Sequence, residues 1–275
     1  MTGFVAKLVS ASARNESLLC VGLDPDPELM PAMKVGAFNR AIIEATQDLV
    51  CAYKPNLAFY EALGIDGWRA LEETLAAIPS HIPVIADGKR GDVPNTARMY
   101  ARSLFEVWGF DAATVNPYLG MDTVEPFTEY RDKGVLVVCR TSNTGSGDFQ
   151  ALGVDRSCGS AGRAPLFEEV ARRVQSANAT GNLGLVVGAT YPDELRRVRE
   201  LCPDLPILVP GVGAQGGALE KAVRDGVDGN GRMAIINSSR GVLYASRGPD
   251  FAEAARRAAS DLRAEMRQAL ASAGG

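Results

Sequence analysis

Residues 18–24 read LLCVGLD, an unbroken run of apolar and small residues that ends on an aspartate. A short apolar run without strict alternation suits a strand buried on both faces, as in a parallel sheet. The same form returns at 49–56 (LVCAYKPN), 83–89 (PVIADGK), 112–117 (AATVNP), 134–142 (GVLVVCRTS), 184–190 (GLVVGAT), 206–211 (PILVPG) and 233–240 (MAIINSSR). That makes eight runs, each closing on a polar or conformationally special residue.

Helical patterns fill the intervals. Residues 37–50 (AFNRAIIEATQDLV) set Phe38, Ile42, Ala45 and Leu49 on one stripe. Asp66 is placed to N-cap GWRALEETLAAI. Pro94 stands near the start of NTARMYARSLFEVW, and Pro192 with Asp193 and Glu194 starts DELRRVREL. A last helix is predicted from about Asp250 to Ala271, and an extra one at 3–12, before the first strand. Eight strand-then-helix units with right-handed crossovers predict an α/β fold, a single (β/α)8 TIM barrel over residues 1–275 with an extra N-terminal helix. An open doubly wound sheet is the competing arrangement. The widest gap, 143–183, opens with NTGSGDFQALGVDRSCGSAG and reads as a long functional loop.

Composition narrows the class. A chain of 275 residues, 46% hydrophobic and 23% charged, can bury a full core without metal or disulfide. The formal net charge of −4, with no basic stripe, argues against a nucleic-acid binder. Five cysteines lack C-x-x-C spacing; Cys20, Cys51 and Cys139 lie in or beside apolar runs, which suits a reducing, cytoplasmic compartment. The N-terminal segment lacks the apolar stretch of a signal peptide, and no run is long enough to span a membrane.

In barrel enzymes the chemistry sits on loops at the C-terminal ends of the strands. Here those ends carry Asp24, Lys54, Asp87 with Lys89, Asn116, Ser142, Thr190, Gln215 and Arg240. Charge at the end of a buried strand is costly unless paired. The densest cluster is DGKRGDVPNT (87–96). Asp87 and Lys89, two apart, point the same way on an extended backbone. Asp92 and Thr96, four apart, share a face of the helix that follows. With Lys54 from the neighbouring strand, two lysines and two carboxylates alternate at one barrel mouth and hold the lysines protonated. A purely structural ion-pair network would show the same pattern.

PGVGAQGG (210–217) and NSSRG (237–241) follow the seventh and eighth runs, the usual place of a barrel phosphate site. Glycines let backbone N–H groups approach an anion; Arg240 can grip two phosphate oxygens and Gln215 can donate one more hydrogen bond. Gly211, Gly213 and Gly216 also spell G-x-G-x-x-G, but after the wrong strand and without the acidic residue a ribose needs. His81, the only histidine, precedes the third strand, so Ser/His/Asp and Cys/His machinery is not expected. No spacing suggests zinc, and Lys89 between Asp87 and Asp92 would repel Mg2+.

The run Asp87-Gly-Lys89-Arg-Gly-Asp92 with Thr96 resembles the signature of the orotidine 5'-monophosphate decarboxylase family. Val21-Gly-Leu-Asp24-Pro, Lys54-Pro-Asn, Arg-Thr-Ser142-Asn, Pro210-Gly-Val-Gly-Ala-Gln215-Gly-Gly and Ser239-Arg240-Gly match further motifs in the same order, in the form of the bacterial long-chain subgroup. Val93-Pro94-Asn95 departs from the pattern, between functional positions. The resemblance implies decarboxylation of orotidine 5'-monophosphate to uridine 5'-monophosphate, the last step of de novo pyrimidine synthesis, without a cofactor or metal. It implies that Asp24 and Lys54 bind ribose hydroxyls, Lys54 also orienting Asp87. Asp87 would sit against the substrate carboxylate, and Lys89 would protonate C6. Asp92 and Thr96 would reach into a partner's site in a homodimer. Ser142 would bind the pyrimidine amide edge. Pro210, Gln215, Ser239 and Arg240 would form the phosphate loops. No nucleic acid or membrane partner is implied. Two alternatives stand beside it: a Mg2+-dependent sugar-phosphate synthase or decarboxylase on the same scaffold, which also carries an Asp-x-Lys-x-x-Asp motif, and a non-catalytic nucleotide-binding protein.

Overall fold

The computed structural model describes residues 3–155, 162–212 and 219–273. Among the described residues ten strands run in chain order: β1 (Leu19–Leu23), β2 (Ala52–Pro55), β3 (Ile85–Arg90), β4 (Ala112–Val115), β5 (Gly134–Arg140), β6 (Gly153–Asp155), β7 (Arg163–Pro165), β8 (Leu183–Val187), β9 (Ile207–Val209) and β10 (Ala234–Ser238). Eight of them form one parallel sheet in the order β2-β1-β10-β9-β8-β5-β4-β3, while β6 and β7 pair antiparallel as a separate hairpin. Parallel bridges Tyr53↔Val84 and Asn56↔Asp87 join the two ends, so the sheet closes into the expected (β/α)8 barrel rather than an open sheet.

Alternation along the strands divides the core in two. Each barrel strand sends one buried apolar residue inward: Cys20, Ala52, Ile85, Ala112, Leu136, Val186, Leu208 and Ile235. Phe4, Val5 and Leu8 of the first helix, Phe4–Asn15, join this inner cluster and plug the barrel from below. The plug is tied down by Phe4 N–H donating to the Asp132 carbonyl at 2.8 Å and by Lys7 Nζ 2.7 Å from Asp111 Oδ2. β5 can start beneath it because residue 134 is glycine; a Cβ there would lie 2.3 Å from the Phe4 ring. The residues between pack strands against helices, with Phe38, Ile42, Tyr53, Leu71 and Phe127 fully buried.

Several boundaries differ from the sequence reading. The stripe helix spans Val35–Thr46, and Leu49 is buried beyond its end. Asp66 does not N-cap: the helix Gly64–Ala77 starts after Leu63, and Asp66 lies in its first turn, 3.1 Å from Arg69. A short helix, Leu57–Glu61, precedes it and is capped by the Asn56 side chain accepting from Ala58 N–H. Pro94 opens Pro94–Arg102 and Pro192 opens Pro192–Leu201, as their fixed φ favours. The last helix is Phe251–Ala273. The long gap is not plain loop, since it holds turns at Thr144–Ser146 and Gly147–Gln150 and then the β6–β7 hairpin.

Candidate active site

At the C-terminal end of the barrel the inward positions change from apolar to polar. Above Cys20, Ala52 and Ile85 come Asp24, Lys54 and Asp87, and with Lys89 these line a cavity of about 570 Å3. Ser142, Pro210, Ser239 and Arg240 line the same cavity from the opposite strands. Sequence reading therefore collects these residues correctly into one place.

Asp87 is the hub. Lys54 Nζ donates to its Oδ2 and Lys89 Nζ to its Oδ1, each at 2.7 Å. Thr114 Oγ1 donates to Oδ1 at 3.0 Å. Lys54 and Asp87 are buried, and each charge is held by the other. Burial pushes the Asp87 carboxyl up, but Lys54 and Lys89 outweigh it and hold the group well below the usual carboxylate range. Burial likewise opposes the Lys54 charge, yet Asp87 and Asp24 raise its pKa above the ordinary lysine value. The Lys54–Asp87 pair also spans the β2–β3 seam where the ring closes.

Lys89 and Asp87 do not meet by simple strand alternation. The β3–β4 register jumps from Ala86↔Ala113 to Arg90↔Val115, a bulge that leaves Asp87, Gly88 and Lys89 opposite Thr114 alone. Lys89 has φ 44°, in the left-handed region that costs a non-glycine residue about 1–3 kcal/mol. Its side chain folds back to Asp87 through this bend, while remaining 46% exposed toward the cavity.

Asp24 accepts from Asn56 N–H at 3.2 Å, and Tyr244 OH donates to the Asp24 carbonyl at 2.8 Å. Arg240 opens the helical turn Arg240–Leu243, and its guanidinium has no hydrogen-bond partner among the described residues. Ser142 follows a latch. Arg140, buried at the end of β5, donates to Glu194 and Ser146 and stacks over Tyr191. Gln150 Oε1 accepts from Thr141 N–H at 2.8 Å, which pins the segment after β5 against the barrel.

Two expected residues lie elsewhere. Asp92 precedes the helix by two residues instead of sharing a face with Thr96, and neither lines the cavity of its own chain. Gln215, Gly213 and Gly216 fall outside the described residues. Sequence reading held Asn56 and Asn237 only as members of motifs, and missed Tyr244 in the lining and Thr114 behind it. Asn237 is a buried amide whose Oδ1 has no partner among the described residues. Its signal was a polar residue inside an apolar run, one position from a strand end. Among the described residues, no three His, Cys, Asp or Glu side chains gather as a metal-binding group.

Comparison with known proteins agrees with this geometry. The model of the Orotidine 5'-phosphate decarboxylase / HUMPS family matches residues 17–258. An orotidine 5'-phosphate decarboxylase of Dehalococcoides mccartyi is 51% identical over 261 residues, covering 94% of this chain and 96% of the relative. One from Cellvibrio japonicus is 48% identical over 280 residues, covering 98% and 99%. The solved OMP decarboxylase of Leishmania donovani superposes with TM-score 0.83 at 41% identity, covering 98% of this chain and 99% of that one. With its motifs in family order, its charged residues joined at one barrel mouth and relatives matching nearly end to end, the chain belongs to the orotidine 5'-phosphate decarboxylase family.

Proposed function

We propose that this chain, a carboxy-lyase, converts orotidine 5'-monophosphate to uridine 5'-monophosphate in pyrimidine biosynthesis, with Lys89 as the proton donor. The observation that carries the reading is Asp87 fixed between Lys54 and Lys89 on the cavity wall. Loss of CO2 leaves an electron pair at C6 with no conjugated sink. The ammonium of Lys89, preorganised by Asp87, stabilises that charge and then donates its proton to C6. The substrate carboxylate is placed against ionised Asp87, and their repulsion is relieved as CO2 departs. Asp24 and Lys54 receive the ribose hydroxyls, and Ser142 the pyrimidine amide edge. Arg240, together with Pro210, Gln215 and Ser239, takes the phosphate. Phosphate binding supplies binding energy away from the reacting carbon.

The active unit in this reading is a homodimer of one-barrel chains. Asp92 and Thr96 enter the partner's site, because they leave their own cavity. Val93, Met99, Tyr118 and Leu119, more than half exposed, form apolar surface beside them that suits a second copy. We place the protein in the cytoplasm, since Cys20, Cys51, Cys139 and Cys202 are free and buried and burial pushes the Cys20 thiol up to about 12. Among the described residues no helix is long and apolar enough to cross a membrane. Nucleic acid is not a partner in this reading, given a net charge of −4. Loss of orotidylate ultraviolet absorbance on adding the purified protein tests the activity. A folded protein that leaves the absorbance unchanged overturns it, and activity abolished by a chelator favours the Mg2+-dependent relatives.

A further inference from the structure

We propose that Thr114 is a positioning residue for this reaction: its single hydroxyl sets both the Asp87 carboxylate and the backbone of Lys89. The inference rests on the roles given above to Asp87 and Lys89. Thr114 is fully buried and does not line the cavity, so it touches no substrate. It stands alone on β4 opposite the three bulged residues of β3, and its Oγ1 is bonded to all three. It donates to Asp87 Oδ1 at 3.0 Å and accepts from Gly88 N–H at 3.2 Å and Lys89 N–H at 2.9 Å.

A threonine hydroxyl has one proton and two lone pairs. All three are used here, with the Ala86 carbonyl, at 3.5 Å, the weaker alternative for the proton. In a regular ladder, backbone carbonyls of β4 would receive the N–H groups of β3. The bulge removes those partners, and the hydroxyl replaces them. Lys89 is thereby held at φ 44°, the conformation that returns its ammonium to Asp87 Oδ1 at 2.7 Å. The same oxygen of Asp87 receives both the Thr114 hydroxyl and the Lys89 ammonium, so one side chain fixes the acceptor and the origin of the donor together.

Thr114→Val keeps the branched shape and removes the hydroxyl. The expected result is a kcat lowered about 10- to 100-fold, the worth of one hydrogen bond to a charged group. KM for orotidine 5'-monophosphate and Kd for uridine 5'-monophosphate should stay within about threefold of wild type, because no binding contact is lost. Thr114→Ser, which restores the hydroxyl, should recover kcat to within about threefold by the same reasoning. A folded Thr114→Val with wild-type kcat overturns the proposal, as does Thr114→Ser as slow as Thr114→Val or a loss confined to KM and Kd. If Thr114→Val does not fold, Thr114→Cys carries the same expectation, its thiol being a weak donor and acceptor. Failure of both to fold counts against a positioning role, because the hydroxyl would then serve the barrel and not the site. Lys89→Ala, measured alongside, separates the two readings: turnover by that variant overturns the assignment of the site. An inactive Lys89→Ala beside a fully active Thr114→Val overturns this inference alone.

Discussion

Lys89 donates to Asp87 Oδ1 at 2.7 Å across a pair of unequal exposure: the lysine side chain is 46% open to the cavity, the aspartate 8%. The buried member is the fixed anchor and the open member the group that can reach a ligand. Lys54, only 4% exposed on the other side of the carboxylate, is the counterion that makes the anchor permanent.

Lys89→Ala should therefore fold, since Asp87 keeps Lys54, and should lose turnover by about 10^4-fold as proton donor and cation disappear together. Circular dichroism and single-turnover assays check both halves. Substantial residual decarboxylation by the folded variant would sink the proton-donor assignment.

Arg240→Ala removes a charge-assisted grip and should lower kcat/KM for orotidine 5'-monophosphate by about 3–5 kcal/mol. The same change should barely alter turnover of the nucleoside lacking phosphate. Equal losses on both substrates would make Arg240 a structural residue.

Asp87→Asn leaves Lys54 buried without its counterion and should destabilise the protein by about 3–5 kcal/mol at neutral pH. Asp87 has a folded pKa depressed below its unfolded value of about 3.9. Its contribution is thus fully present above the unfolded pKa and is lost as pH falls through the folded one. Denaturant unfolding of both proteins from pH 7 downward checks this. The gap between them should narrow only below about pH 4; a gap that is constant at every pH would refute the ionised anchor.

Mixing Lys89→Ala with Asp92→Ala tests the shared site. In a two-fold dimer each mixed pair has one doubly damaged site and one intact site. Random exchange makes about half the dimers mixed, so about a quarter of wild-type activity should return. If subunits demonstrably exchange and no activity appears, Asp92 serves its own chain.

The barrel was legible because a strand buried on both faces must be apolar throughout, and runs such as 134–142 and 184–190 have that character over β5 and β8. The β6–β7 hairpin was not, since Gly153-Val-Asp155 and Arg163-Ala-Pro165 are only three residues each, half of them exposed, and carry no hydrophobic period. The cavity residues were legible from charge at strand ends. Thr114 was hidden in AATVNP, where a β-branched residue reads as strand material. Only the β3–β4 register brings its hydroxyl opposite the bulge, and register follows from tertiary pairing. Asp66 misled because an aspartate ahead of a helical stripe suits an N-cap and a first-turn position equally well, and the chain started its helix earlier, at Gly64.

β1 pairs with β2 on one flank and with β10 on the other, Leu19 opposite Ile236. Within the barrel, the strand made earliest is thus completed by the one made latest. Until Ala234–Ser238 emerges, one flank of β1 offers unpaired N–H and C=O groups to any passing strand. A truncated chain that stops before Ala234 keeps that flank open permanently and becomes a template for aggregation.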